Sequence, residues 1–91
     1  MKQYAYYLKV HGRVQGVGFR YSTLMEAQKL KINGWVKNTA DGDVEVWAEG
    51  PKEKLDSFIK WLGRGPQFSH VDSVEQDEMV PHGYNGFNIK Y

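Results

Sequence analysis

An arginine closely follows two glycines near the start of the chain, in the segment VQGVGFRY at residues 14–21. Gly16 and Gly18 can adopt positive φ angles at no steric cost, so that successive amides can turn into one concavity. Arg20 lies where a helix could begin, and a helix N-terminus adds free N–H groups and the positive end of its dipole. These groups could bind an anion, with Arg20 as a planar fork of two donors. The same spacing would also suit an ordinary strand-to-helix turn followed by a solvated arginine.

Other reactive residue types offer no competing site. The chain has no cysteine, which excludes thiolate nucleophiles, disulfides and Cys-based metal sites. The histidines at positions 11, 70 and 82 lack the spacing of metal ligands, and Ser22 is not in a GxSxG context. The common phosphate motifs GxxxxGK[ST] and GxGxxG are absent as well. We therefore expect no zinc site.

Length and charge point to a small ligand. A chain of 91 residues predicts one domain over residues 1–91. Its net charge of +1 gives little general attraction to nucleic acid. No stretch approaches the roughly 18 apolar residues of a membrane span, and the first ten residues lack the apolar centre of a signal peptide. We expect a cytoplasmic monomer with no membrane partner and no nucleic-acid partner.

Hydrophobic periodicity predicts the elements that position the glycine segment. Their order, β-α-β-β-α-β, is the split-βαβ, ferredoxin-like pattern, in which two helices cover one face of a four- to five-stranded antiparallel sheet. The second helix should open after Gly50-Pro51 and end before Gly63. Val71 and Val74 break strict alternation in one strand, which predicts a bulge or a twist there. Strands are expected at 4–14, 33–39, 44–50, 69–80 and 87–91, and helices at 21–32 and 52–62.

The predicted topology brings two distant parts of the chain together. Right-handed crossovers place the first two strands parallel, with another strand between them. The first strand should end at Val14 and the second near Asn38, so that both carboxyl ends lie at one edge of the sheet. Ligands of sheet proteins tend to bind outside such ends. We therefore expect residues 14–20 and Asn38 to share a site.

Two motifs resemble the signatures of the acylphosphatase family. GRVQGVGFR, at residues 12–20, is similar to the phosphate-binding signature of that family. GWVKNTADGDVEVWAEG, at residues 34–50, is similar to its second signature, with Asn38, Gly42 and Gly50 at matching positions. The resemblance continues through AQKL in the first predicted helix and FNIKY at the end of the sequence, and thus covers nearly the whole chain.

The resemblance implies a ferredoxin-like fold and a reaction. Members of the family hydrolyse acyl phosphates, which are mixed anhydrides of a carboxylic acid and phosphate, without metal or cofactor. The acyl side of the implied pocket has no recognisable specificity element, so the particular substrate is not indicated. By position, the resemblance makes Arg20 and Asn38 the catalytic residues, with Asn38 orienting the attacking water. It assigns phosphate binding to the Arg20 side chain and to the backbone amides of Gln15, Gly16, Val17, Gly18, Phe19 and Arg20.

A non-catalytic ferredoxin-like binding module, for single-stranded RNA or a small ligand, is the alternative. Alternation turns Val44, Val46 and Ala48 inward, and it turns Glu45, Trp47 and Glu49 toward a sheet face that should be open. Aromatic residues with lysines on such a face can stack RNA bases. However, the strand predicted at 44–50 lacks an RNP1-like run and contains two glutamates. Aromatic residues on a sheet also commonly pack on one another across strands. The aromatic residues and lysines expected on this face are Tyr7, Lys9, Trp35, Lys37 and Trp47.

Overall fold

The computed structural model describes residues 2–91, which form five strands and two helices. Within the sheet the strand order is β4-β1-β3-β2-β5, and all neighbours are antiparallel except β2 and β5, which run parallel. The expected ferredoxin-like architecture is therefore confirmed, with five strands rather than four. In chain order the elements are β1 (Tyr4–Arg13), α1 (Phe19–Leu30), β2 (Asn33–Asn38), β3 (Val44–Gly50), α2 (Lys52–Arg64), β4 (His70–Met79) and β5 (Phe87–Lys90).

Helix α2 follows the apolar periodicity of the sequence but continues further than predicted. Leu55, Phe58 and Leu62 are fully buried on one face of α2. The prediction that α2 ends before Gly63 is wrong, because Gly65 is the residue with a positive φ, of 70°, at the C-terminal cap. Within residues 2–91, neither of the two helices is long and apolar enough to cross a membrane.

The expected irregularity in β4 is confirmed where β4 pairs with β1. The register shifts after His11, so that Asp72 is the extra residue on β4. Gly12 lies at this shift with φ of 139°, and a Cβ there would come within 2.1 Å of the carbonyl oxygen of His70. Glycine is therefore required at this position, just before the segment that leads into α1.

The sheet face away from the helices is less open than expected. Trp47 and Glu49 were predicted to face solvent, but they are only 6% and 3% exposed. The segment between β4 and β5, residues 80–86, crosses over β3, and the ring of His82 stacks on Trp47 at a centroid distance of 4.3 Å. Alternation predicts the face on which a residue lies but not what covers that face.

The Glu49 carboxylate fastens this covering segment. It accepts backbone N–H bonds from His82 at 2.5 Å and from Gly83 and Tyr84 at 3.1 Å each. The indole N–H of Trp47 donates a fourth bond at 2.8 Å. Burial by itself would raise the pKa of Glu49, but these four donors outweigh it and hold the pKa below its usual value of 4.5.

Other aromatic and lysine side chains on the same face have partners from neighbouring strands and turns. The Tyr7 hydroxyl donates a hydrogen bond to Glu45 at 2.5 Å. The pKa of Tyr7 is raised, mainly by burial and also by the Glu45 carboxylate. This is the cross-strand packing that competes with base stacking. Further pairs are Lys9 with Asp41 at 3.0 Å, Lys37 with Glu45 at 4.0 Å, and the Lys90 ammonium over the Trp35 ring at 4.4 Å.

Candidate active site

A pocket of about 220 Å³ opens at the sheet edge where β1 and β2 end. It is formed by the loop between β1 and α1, by the first turn of α1, and by the ends of β2 and β5. The two parts of the chain that the crossover argument predicts to meet therefore lie around one space. The lining residues are Val14, Gly16, Gly18, Phe19, Arg20, Tyr21, Asn38, Ile89 and Tyr91.

The glycine loop leads into the N-terminus of α1. Gly16 and Gly18 have φ of 75° and 76°, in the left-handed region that favours glycine. Gly18 is the N-cap residue of α1, and its carbonyl accepts the first helical bond from the Ser22 amide at 3.0 Å. The amides of residues 19–21 therefore have no acceptor within the helix. Such free N–H groups at a helix N-terminus are suited to bind an anion.

Arg20 contributes the charge of the pocket. Its guanidinium lies over the ring of Tyr91, 5.0 Å from the ring centroid, and within residues 2–91 it forms no ion pair with a carboxylate. None of the described residues that line the pocket is acidic. The positive charge of Arg20 is therefore available to an anionic ligand.

Asn38 presents an unpartnered acceptor. It is the last residue of β2, where it pairs with Val44 of β3. Its side-chain Oδ1 is buried, and no donor in residues 2–91 bonds to it. An unsatisfied buried polar atom costs roughly 1–3 kcal/mol, and such atoms are rare in native structures. Asn38 also lines the pocket, so its side-chain amide is the polar group that β2 contributes there.

The six residues predicted to bind phosphate do not all line the pocket. Gly16, Gly18, Phe19 and Arg20 do, while Gln15 and Val17 lie in the same loop without lining it. The Val17 side chain packs against the hydrophobic core. The Gln15 side chain reaches the connection between β2 and β3, where it forms two hydrogen bonds.

Three lining residues were not predicted from the sequence. Tyr21 belongs to α1, and Ile89 and Tyr91 come from the C-terminal segment. Alternation in FNIKY does place Ile89 and Tyr91 on one side of a strand, which is a usable signal. It does not indicate that β5 pairs parallel to β2, with Val36 opposite Ile89, and this pairing is what carries both residues to the pocket.

Outside the pocket, His11 bridges two carboxylates. Its Nδ1 lies 2.7 Å from Asp43, and its Nε2 is hydrogen-bonded to Glu75. The bond to Glu75 raises the pKa of His11 above 6.5, and Asp43 adds to this effect. Partial desolvation acts in the opposite direction but is outweighed. In residues 2–91 no group of three or more His, Cys, Asp or Glu side chains is arranged to hold a metal ion.

Comparison with known proteins identifies the family. The family model described as Acylphosphatase matches residues 6–89. An acylphosphatase of Bacillus licheniformis is 49% identical over 87 residues, covering 94% of this chain and 97% of that protein. An acylphosphatase of Thermococcus kodakarensis is 44% identical over 89 residues, covering 98% of each. The crystal structure of acylphosphatase from Bacillus subtilis aligns with a TM-score of 0.94 at 47% identity, covering 97% of this chain and 99% of that one. The chain belongs to the acylphosphatase family.

Proposed function

We propose that this protein hydrolyses acyl phosphates to a carboxylate and inorganic phosphate. Family membership supports the reaction. In this proposal the backbone amides of residues 15–20 and the Arg20 guanidinium bind the phosphoryl group, while Asn38 orients the attacking water. The observation that carries these roles is that Arg20, the glycine loop and Asn38 line one pocket.

Phosphoryl transfer suits a site of this composition. Its transition state is loose and places charge on the equatorial oxygens of the phosphoryl group, so positioning and electrostatics provide most of the catalysis. Amides at the N-terminus of α1 and the guanidinium of Arg20 line the pocket and are the donors that would meet this charge. The amides belong to the folded backbone, so they would need little reorganisation as the charge develops.

The leaving group explains why the lining residues need not include a general acid. An acyl phosphate releases a carboxylate whose parent acid has a pKa of about 4, by analogy with side-chain carboxyls. Such a group leaves without being protonated. A phosphate oxygen of the substrate can accept the proton of the attacking water. The described lining residues include no His, Asp, Glu or Cys, in agreement with this scheme.

The water requires orientation rather than deprotonation by a side chain. The Asn38 amide does not ionise, and its Oδ1 can accept one hydrogen of the water. A water held in this way lies beside the phosphoryl group that the loop and Arg20 bind, because all three line one pocket. Orientation of this kind converts a random encounter into a step with defined geometry.

We also propose that the protein acts on small acyl phosphates as a one-domain, cytoplasmic monomer with no nucleic-acid partner. The net charge of +1 supports the last point. So does the pairing of the sheet-face aromatics, since Trp47 is covered by His82 and Tyr7 is bonded to Glu45. Size-exclusion chromatography and a single-stranded RNA gel shift test the monomer and the absence of RNA binding.

The decisive experiment measures phosphate release from a simple acyl phosphate, such as acetyl phosphate, by the purified protein. We expect full activity in the presence of a metal chelator and competitive inhibition by inorganic phosphate. Loss of activity on chelation that a divalent cation restores would contradict the metal-free mechanism. Absence of phosphate release together with a shift of single-stranded RNA would instead support the binding-module alternative.

A further inference from the structure

The Gln15 side chain links the phosphate-binding loop to the strand connection that follows Asn38. Gln15 is the second residue after β1, and its side chain is partly buried. Its amide Nε2 donates to the carbonyl oxygen of Thr39 at 2.8 Å and to that of Asp43 at 2.9 Å. Thr39 directly follows Asn38 in the chain. The side-chain amide of Gln15 therefore donates hydrogen bonds to both ends of the β2–β3 turn.

The turn that Gln15 binds is itself closed by hydrogen bonds. The Thr39 amide donates to the Asp43 carbonyl at 2.9 Å, and the Asp43 amide donates to the Thr39 hydroxyl at 3.0 Å. The Gly42 amide adds a bond to the Thr39 carbonyl at 3.3 Å. Because these bonds make the β2–β3 turn rigid, the Gln15 bonds to its carbonyls attach the glycine loop to a fixed part of the structure.

The glycine loop needs such a link more than an ordinary loop does. Gly16 and Gly18 both have positive φ, and a Cβ at either position would meet nothing within 4 Å, so packing does not restrain the loop there. In residues 2–91 the hydrogen bonds between the loop at 14–18 and the turn at 39–43 all come from the Gln15 side chain. Val14 and Val17 hold the loop on the hydrophobic core, and these two bonds tie it to the turn that follows β2.

We propose that the Gln15 side chain is a positioning residue, which sets the distance between the phosphate bound in the loop and the water bound by Asn38. This inference rests on the proposed function, since it requires that Asn38 orients the water. The separation matters because a displacement of about 1 Å at reacting atoms can cost on the order of 100-fold in rate. Gln15 is suited to the task because it is uncharged and has two N–H donors for two carbonyl acceptors.

The test compares Gln15→Met with the parent protein, because methionine has a similar length but no donor. We expect kcat for acetyl phosphate to fall roughly 100-fold. The inhibition constant of inorganic phosphate should change only a few-fold, since Arg20 and the amides remain. Gln15→Glu serves as a second variant, because its carboxylate has no N–H and faces two carbonyl oxygens. Gln28→Met, at an exposed position on α1, is the matched control and should keep full activity.

A double-mutant cycle with Asn38→Ala separates positioning from general damage to the fold. If Gln15 acts through the placement of water by Asn38, Gln15→Met should reduce kcat little further in the Asn38→Ala background. An equal loss in both backgrounds, or a kcat within a few-fold of the parent for both Gln15 variants, would overturn the inference while leaving the proposed function intact. Full activity of Asn38→Ala itself would instead refute the role assigned to Asn38 in the proposed function.

Discussion

Replacing Asn38 by alanine separates catalysis from stability most sharply. If Asn38 orients the water, Asn38→Ala should lower kcat for acetyl phosphate by about 100-fold or more, because the water loses its defined position. Phosphate affinity should change by less than about threefold, which corresponds to roughly 0.6 kcal/mol and is smaller than one typical net hydrogen bond. Phosphate release and inhibition by phosphate measure the two quantities on the same sample.

The stability of Asn38→Ala follows from the unpartnered Oδ1. This atom is buried without a donor in residues 2–91, and an unsatisfied buried acceptor costs roughly 1–3 kcal/mol. Alanine removes that penalty but also removes packing atoms, so we expect a net gain between zero and about 1 kcal/mol. For a domain of this size the melting temperature should then remain the same or rise by up to roughly 4–8 °C.

Asn33 offers a matched control at the other end of the same strand. Its Oδ1 accepts the Gly86 amide at 2.9 Å, and it is not a lining residue of the pocket. Asn33→Ala should therefore lose about 1 kcal/mol of unfolding free energy and keep its kcat. The reasoning is refuted if Asn38→Ala behaves in the same way, with a lower melting temperature and a kcat within a few-fold of the parent.

Two further predictions concern charge. Arg20→Lys should lower kcat/KM about 1000-fold or more and weaken inhibition by phosphate, because lysine lacks the planar fork of donors. Its melting temperature should change little. Near-normal kinetics would make Arg20 an ordinary surface residue. Glu49→Ala should lower the unfolding free energy by about 2–3 kcal/mol near neutral pH, because the carboxylate accepts four N–H bonds. Since the folded pKa of Glu49 lies below 4.5, its stabilisation is present above that value and disappears as the pH falls through the lowered pKa. Urea unfolding of the parent and of Glu49→Ala at neutral and strongly acidic pH measures this stabilisation. A difference in unfolding free energy between the two proteins that does not shrink in acid would contradict the prediction.

Local patterns were sufficient for most of the elements and for the meeting of Arg20 and Asn38 at one pocket. The apolar spacing of Leu55, Phe58 and Leu62 predicts α2, and all three are buried as that spacing requires. Crossover handedness brings the end of β1 and the end of β2 to one edge, because it depends on strand twist rather than on particular contacts. Arg20 and Asn38 lie at this edge and line one pocket, as the order of elements predicts.

Contacts between distant segments were decided only by the tertiary structure. Alternation places Trp47 and Glu49 on the face away from the helices, but it carries no information about residues 80–86, which cover them. The parallel pairing of β5 with β2, which brings Tyr91 to Arg20, likewise depends on a long-range strand neighbour. The direction of the Gln15 side chain, toward two carbonyls of another turn, is of the same kind. Periodicity and turn chemistry report what each residue does beside its chain neighbours, whereas these partners are chosen by packing between segments far apart in sequence.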